Sequence, residues 1–309
     1  MKHCILIFLL LSSCGIMNFN PIGGIAINLT YHSTNLDENL AKNVLLQRAK
    51  TLTKKAEICI SNKKITIKLP GFFDSSSIDP LLWSDGDFGI LEARSASNYI
   101  PRFLKINDSI KHRIENQLNG SNHPDGISRF IDFIQFNLDY NNEPLNNPIL
   151  GYVKTTDTSM FSEFIKANPS LIDKNDKTIF GKELAINDVI YIPIYIVNAD
   201  TSRFTNEMVE NFSQSKTTHS YNQYSLLIEL KPEYHPVWEE FTQQNIKKFV
   251  AVLINNQVYI CPMVQGAIPN GKLMIPLKSI EDVKLLKAVL SYNLPKANLE
   301  LVDFTETTK

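Results

Sequence analysis

Apolar positions recur along the chain with two different periods, and the elements are drawn where one period gives way to the other. Between Tyr224 and Leu230 the run YSLLIEL is apolar and β-prone, and Pro232 closes it. Helical spacing follows, with Trp238, Phe241 and Asn245 on one stripe and Glu239, Glu240, Gln243 and Gln244 mostly off it. Phe249–Ile254 is an almost unbroken apolar run, short enough for a strand buried on both faces. Asn255-Asn256 then offers two residues that tolerate the left-handed backbone of a tight hairpin turn. Val258–Cys261 runs back and Pro262 ends it. The stretch predicts strand, helix and two hairpin-linked strands, with no side chain set up for chemistry.

The amino-terminal half alternates in the same way. Ile25–Tyr31 reads as a strand. A helix follows, with Thr34 or Asn35 as cap, Asp37 and Glu38 in its first turn, Leu40, Val44 and Leu45 near one face, and Arg48 and Lys50 at its basic end. Ala56–Ile60 and Lys64–Leu69 are strands joined by Ser61-Asn62-Lys63, a hairpin by local turn chemistry. Pro70-Gly71 breaks the second, Ser77–Trp83 reads as a short helix, and Phe88–Ala93 as a further strand. That order, β-α-β-β-α-β, is the ferredoxin-like arrangement of helices on one face of an antiparallel sheet. Further on, Asp108–Leu118 reads as helix, Asn119–Gly126 as a polar loop, Ile127–Leu138 as amphipathic, and Asn141–Asn147 as a turn-rich loop. Met160–Ala167 reads as a short helix, and Tyr191, Ile192, Ile194, Tyr195 and Ile196 as a β-rich run split by Pro193. No internal repeat is present.

The first residues follow a separate logic. Met1–Ser13 has a short basic start (Lys2, His3) and an apolar run, Ile5–Leu11, too short to span a bilayer but suited to a signal-peptide core. Leu11-Ser12-Ser13-Cys14 resembles the bacterial lipobox, which implies lipid attachment at Cys14 and residues 14–24 as a tether. The alternative is an ordinary secretory signal with an incidental cysteine. Gly15, in place of Asp, leans by resemblance to bacterial sorting rules towards the outer membrane. No other stretch approaches the roughly 20 apolar residues of a membrane helix.

With 309 residues, 43% of them hydrophobic, the chain can bury a real core as one large or two modest domains. A formal charge of −1 argues against nucleic acid, and Lys54-Lys55, Lys63-Lys64 and Lys247-Lys248 read as solvated edges. Four cysteines are too few for a disulfide scaffold. Cys59 and Cys261 fall in predicted strands, where small buried hydrophobes or one disulfide are the alternatives. Asp85-Gly86-Asp87 reads as a turn, without the ligand series of a calcium loop. His123-Pro124-Asp125-Gly126 is turn chemistry. His219 and His235 lack the companions of a zinc site. Phosphate-binding and nucleophile-elbow glycine motifs are absent. The expectation is a protein with no catalytic residues, no cofactor and no metal.

Two parts of the chain resemble the first periplasmic domain of SecD, the membrane subunit that assists the Sec protein-export channel. In the carboxy-terminal half the resemblance rests on Lys247-Lys248, Ala251, Leu253-Ile254, Asn255, Val258, Pro262, Ile268 and Gly271, then Leu285, Leu286, Leu290, Leu294-Pro295 and Leu299. In the amino-terminal half it rests on Arg48, Leu52, Leu69-Pro70-Gly71 and Leu91-Glu92-Ala93-Arg94, and it resumes at Ile179–Leu184. It implies an α+β fold: a ferredoxin-like base at 25–100, a head at 101–278 with a rebuilt segment around 95–176, and a return helix and strand at 279–305 that complete the base.

The resemblance also implies a non-catalytic module that holds emerging polypeptide or docks on Sec or other envelope partners. With Cys14, the expected place is periplasm-facing and lipid-anchored. The alternative is a structural or assembly lipoprotein that uses the same fold for a different protein partner. The sequence does not single out the polypeptide-binding surface.

Overall fold

The computed structural model describes residues 23–32, 36–75, 78–106, 133–200, 204–216, 224–294 and 299–307. Cys14, the expected helix Asp108–Leu118, the loop Asn119–Gly126 and His219 lie outside them. The chain divides into two compact units. One takes residues up to Gly86, Gln214–Leu226 and Pro276 onward, and the other takes Asp87–Ser213 and Leu227–Ile275.

The first unit is built on β1 (Gly24–Thr30), β2 (Glu57–Ser61), β3 (Lys64–Pro70) and β15 (Glu300–Thr307). They form an antiparallel sheet in the order β15-β1-β3-β2. With α1 (Glu38–Ala49) between β1 and β2, and a carboxy-terminal helix (Ile280–Ser291) before β15, this is the ferredoxin-like β-α-β-β-α-β unit. Ile25, Ile27 and Leu29 alternate into its core with Ile65, Ile67 and Leu69. The β2–β3 turn places Asn62 and Lys63 at φ 50° and 59°, the backbone of a two-residue hairpin.

Three expectations change here. The α1 cap is Asp37, whose carboxylate accepts from the Asn39 and Leu40 N–H groups. Leu40 is exposed, and the buried stripe is Ala41, Val44, Leu45 and Arg48. The segment before Ser84 is a 3-10 turn, Pro80–Trp83.

The second unit holds an eight-stranded sheet whose main path is β13-β12-β4-β9-β6-β5, with β7 and β8 also paired to β9. Its strands are β4 (Phe88–Ala93), β5 (Gln135–Phe136), β6 (Ile149–Lys154), β7 (Asp176–Phe180), β8 (Leu184–Ile186), β9 (Val189–Asn198), β12 (Phe249–Ile254) and β13 (Gln257–Ile260). β10 (Val209–Lys216), β11 (Tyr224–Leu230) and β14 (Lys272–Leu277) form a three-stranded sheet in the order β10-β11-β14. The remaining long helices are α2 (Thr158–Ala167), α3 (His235–Gln244) and, at the carboxy-terminal end, α4 (Ile280–Ser291).

Phe88–Ala93 therefore does not complete the ferredoxin-like sheet. It lies between β12 and β9, because a strand burying Phe88, Ile90, Leu91 and Ala93 on both faces needs a central position. The fourth strand of the ferredoxin-like sheet is β15. The amphipathic reading of Ile127–Leu138 fails in its described part, where Gln135–Phe136 is a strand. Pro193 does not split its run either, since β9 continues through it. β9 exchanges one partner for another at that point, β8 ending its register at Leu184↔Tyr191 and β7 beginning at Phe180↔Ile194. The missing proline N–H falls in that gap.

β12 is buried throughout, and Asn255 and Asn256 turn it into β13 at φ 50° and 61°. α3 buries Trp238 and Phe241 against Phe204, whose ring centroid lies 5.1 Å from that of Trp238 and 5.3 Å from that of Phe241.

Candidate functional site

The second unit curls its sheet. The residue after β7, Gly181, bridges to Val258 of β13, and the Lys182 N–H donates to the Val258 carbonyl at 3.1 Å. β4, β9, β7, β13 and β12 thus wrap around Leu91, Ile179, Tyr195, Val197, Ala251, Leu253 and Val258. A Cβ on Gly181 would stand 2.7 Å from both Pro193 Cγ and Tyr195 Cε2, so only glycine lets the strands approach this closely. A second core packs Tyr99, Ile100 and Phe103 with Leu150, Phe161 and Ile194.

One cluster of ionisable groups sits where β4 leaves the sheet. Arg94 Nε donates to both Asp176 oxygens at 3.0 and 3.1 Å. The Tyr99 hydroxyl points at Asp176 in a short hydrogen bond and at Asp173 Oδ2 at 2.9 Å. Arg102 grips Asp173 through Nη1 at 2.7 Å and lies over the Tyr99 ring at 4.6 Å. The Arg102 hydrogen bond, and then that of Tyr99, hold the Asp173 carboxyl below the usual carboxylate range. Burial, followed by the bond to Asp176, raises the Tyr99 hydroxyl. A general base near neutral pH needs a carboxylate shifted the other way. Each acid in the cluster is matched by an arginine, so the arrangement rivets a loop to the end of a strand.

Other candidates are occupied by structure. Cys261 carries a free thiol, so the Cys59–Cys261 pairing is not formed, and burial pushes that thiol up, away from a reactive thiolate. His235 Nε2 lies 3.0 Å from the Leu230 carbonyl at the start of α3. Among the described residues no group of three His, Cys, Asp or Glu side chains gathers to hold a metal. No described helix is long and apolar enough to cross a membrane.

One group of exposed apolar side chains lies where the sequence did not point. Ile192, Ile194, Tyr195 and Ile196 are core. The hairpin ahead of them is not: Leu184, Ile186, Val189 and Ile190 are 36–49% exposed. Asn187 and Asp188, at φ 48° and 63°, make its two-residue turn. The register Leu184↔Tyr191 and Ile186↔Val189 puts three aliphatic side chains and a tyrosine ring on one face, with Ala185 and Ile190 on the other. Among the described residues β8 pairs with β9 alone, which leaves its outer edge open to another strand there.

The span from β9 through α4, residues 191–293, is the part that comparison with known families identifies. It matches the family model of the SecDF P1 head subdomain. The resemblance to the SecD first periplasmic domain thus holds across β9, α3, the β12–β13 hairpin and α4, while the hairpin tip and residues 87–190 lie outside the SecDF P1 head match.

Among solved structures, SecDF in a super-membrane-facing form is 15% identical with a TM-score of 0.47, over 93% of this chain and 30% of that one. A SecDF structure described as a membrane component that enhances protein export is 15% identical with a TM-score of 0.44, over 90% and 98%. SecDF from Thermus thermophilus, a translocon-associated membrane protein, is 16% identical with a TM-score of 0.29, over 91% and 30%. The chain therefore spans about a third of the first SecDF chain it resembles. No curated protein sequence matches it.

Proposed function

We propose that this chain is a non-catalytic, periplasm-facing, SecD-like binding module, held to a bacterial membrane by lipid at Cys14, that assists protein export by contacting exported polypeptide or Sec partners. The observation that carries this reading is the match of residues 191–293 to the SecDF P1 head subdomain. The surface best suited to an extended apolar segment is the β8–β9 hairpin, which combines exposed aliphatic side chains with an open strand edge. No proton-coupled membrane bundle is needed for this role, which is passive holding.

The test is photocrosslinking in cells from a reactive residue placed at Ile186. Capture of nascent exported chains or Sec subunits supports the proposal, and capture of neither counts against it. A second reading, an assembly lipoprotein with a dedicated protein partner, rests on the rebuilt segment around 95–176, which lies outside the family match and supplies Tyr99 and Asp176 to the cluster with Arg94. One tight folded envelope partner in the same crosslinking experiment would favour it.

A further inference from the structure

An open groove of about 580 Å³ runs between the end of α1 and α4 in the ferredoxin-like unit. Lys50, Lys54, Lys284 and Lys287 line it, with Leu52 and Tyr292, and its lining contains no carboxylate. All four lysines are exposed, and none is ion-paired with a carboxylate among the described residues. Four unneutralised ammonium groups around one concavity form a site for negative charge. The lysine stems, Leu52 and the half-exposed Tyr292 add apolar surface to its lining, a combination suited to a boundary that is wet on one side and greasy on the other.

The position of the groove decides which anion. Thr53, in the turn that follows α1, donates its hydroxyl to the Pro70 carbonyl at 3.0 Å. Pro70 pairs with Gly24, the first residue of β1, and Gly24 pairs on its other side with Thr307 at the end of β15. The chain thus enters and leaves the sheet at the end where α1 delivers Lys50 and Lys54. Residues 15–23 separate Cys14 from β1, a reach of roughly 30 Å when extended.

We infer that the Lys50–Lys54–Lys284–Lys287 groove docks on the anionic headgroups of the bilayer. The inference rests on the reading of Cys14 as the lipid site, since that anchor brings this end of the unit to the membrane. An acidic polypeptide offers the same charge, but the groove is lined by α4 and by the end of α1 with the turn after it, and its lining includes no strand edge for an extended chain to pair with. Each basic residue near an anionic leaflet contributes about fivefold in partitioning, so the groove converts a flexible tether into an oriented contact.

The test uses the full chain carrying Cys14→Ala, so that acyl chains contribute nothing. It is sedimented with vesicles of phosphatidylglycerol and phosphatidylethanolamine, and with vesicles of phosphatidylcholine. Binding to the anionic vesicles alone, abolished by high salt, is expected. The variant K50Q/K54Q/K284Q/K287Q should bind them more weakly by at least about tenfold, and the matching lysine-to-arginine variant should retain binding. Equal binding to both vesicle types, or an unchanged glutamine variant, overturns the inference. So does lysine-dependent binding of polyglutamate without vesicle binding, which assigns the groove to acidic polypeptide. Cell fractionation of the unaltered chain against Cys14→Ala scores the anchor separately. Anionic-vesicle binding by a chain that proves unlipidated leaves the groove standing while the anchor falls.

Discussion

Arg48, in the last turn of α1, donates from Nη2 to the backbone carbonyl of Tyr292, the residue that caps α4, at 2.7 Å. The same guanidinium reaches the carbonyls of Leu82, Ser84, Asp85 and Val289, and it has no solvent exposure. Burial lowers its pKa to about 10. Among the described residues its hydrogen bonds all go to backbone carbonyls, whose dipoles solvate the charge in place of water, and the charge of Asp85 favours it as well. Replacing Arg48 with Met leaves five carbonyls without their donor, and each unsatisfied buried acceptor costs about 1–3 kcal/mol. We expect R48M to lose at least about 3 kcal/mol in urea unfolding followed by circular dichroism, and R48K to recover only part, since an ammonium cannot fan out to five acceptors. A loss below about 1 kcal/mol would refute this role.

Gly86 closes the same nest. At φ +83° it turns the chain so tightly that a Cβ would fall 2.5 Å from the Val289 carbonyl oxygen and 2.8 Å from Arg48 Nη2. Gly86→Ala should therefore cost more than its backbone strain of about 1 kcal/mol, because the methyl group displaces the guanidinium as well. In a double-mutant cycle G86A and R48M are expected to be strongly non-additive, the second change costing little once the first is made. Additive losses would place the two residues in separate roles.

Arg48 also marks the limit of what the sequence conveys. Local periods suffice for the β12–β13 hairpin, for α3 with Trp238 and Phe241 inward, and for the alternation of β1 and β3. Each is a short-range pattern with its turn residues beside it. An arginine at a helix end, however, looks like dipole compensation whether it faces water or a cage of carbonyls, and those carbonyls lie as far away in sequence as Tyr292. Phe88–Ala93 is ambiguous in the sequence for a related reason: an apolar strand can join either sheet, and only long-range pairing with β12 decides. The exposed apolar pattern of Leu184–Ile190 was present in the sequence, but alternation alone does not say which strands project beyond their neighbours.

The Tyr99 hydroxyl gives a pH signature. Its pKa is raised above the ordinary 10.0 by burial and by its bonds to Asp176 and Asp173. A raised folded-state value means the protonated hydroxyl contributes stability fully below about pH 10, and that contribution is lost as pH rises towards the folded value. Tyr99→Phe removes the bond at any pH. The stability gap between the parent and Y99F should then be constant, at about 1–3 kcal/mol, from pH 6 to 9 and shrink above pH 10. Thermal unfolding across that range reads it directly, and a gap that widens in alkali would contradict the assignment. Asp173 works in the opposite direction. Its lowered pKa contributes stability above the ordinary 3.8 that is lost as pH falls through the folded value, so D173N should flatten the acid limb.

The hairpin offers the sharpest separation of surface from core. Leu184, Ile186 and Ile190 are exposed, so changing all three to Ser should leave global stability within about 0.5 kcal/mol per site. Apolar peptides that lie along the β8 edge would lose both their side-chain contacts and the driving force to pair. Removing most of the buried area of three aliphatic side chains is worth about 1.5 kcal/mol or more each when fully covered and less when half covered, which corresponds to at least about a tenfold loss of affinity in total. The measurement is binding of the full chain to an array of extended apolar peptides, parent against L184S/I186S/I190S. A proline at Ala185, which adds no polar group and disturbs only the strand edge, separates the two contributions. If A185P weakens peptide binding while leaving unfolding unchanged, the edge itself is paired. If only the serine variant does so, the contact is through side chains. If neither changes binding, polypeptide is held elsewhere on the molecule.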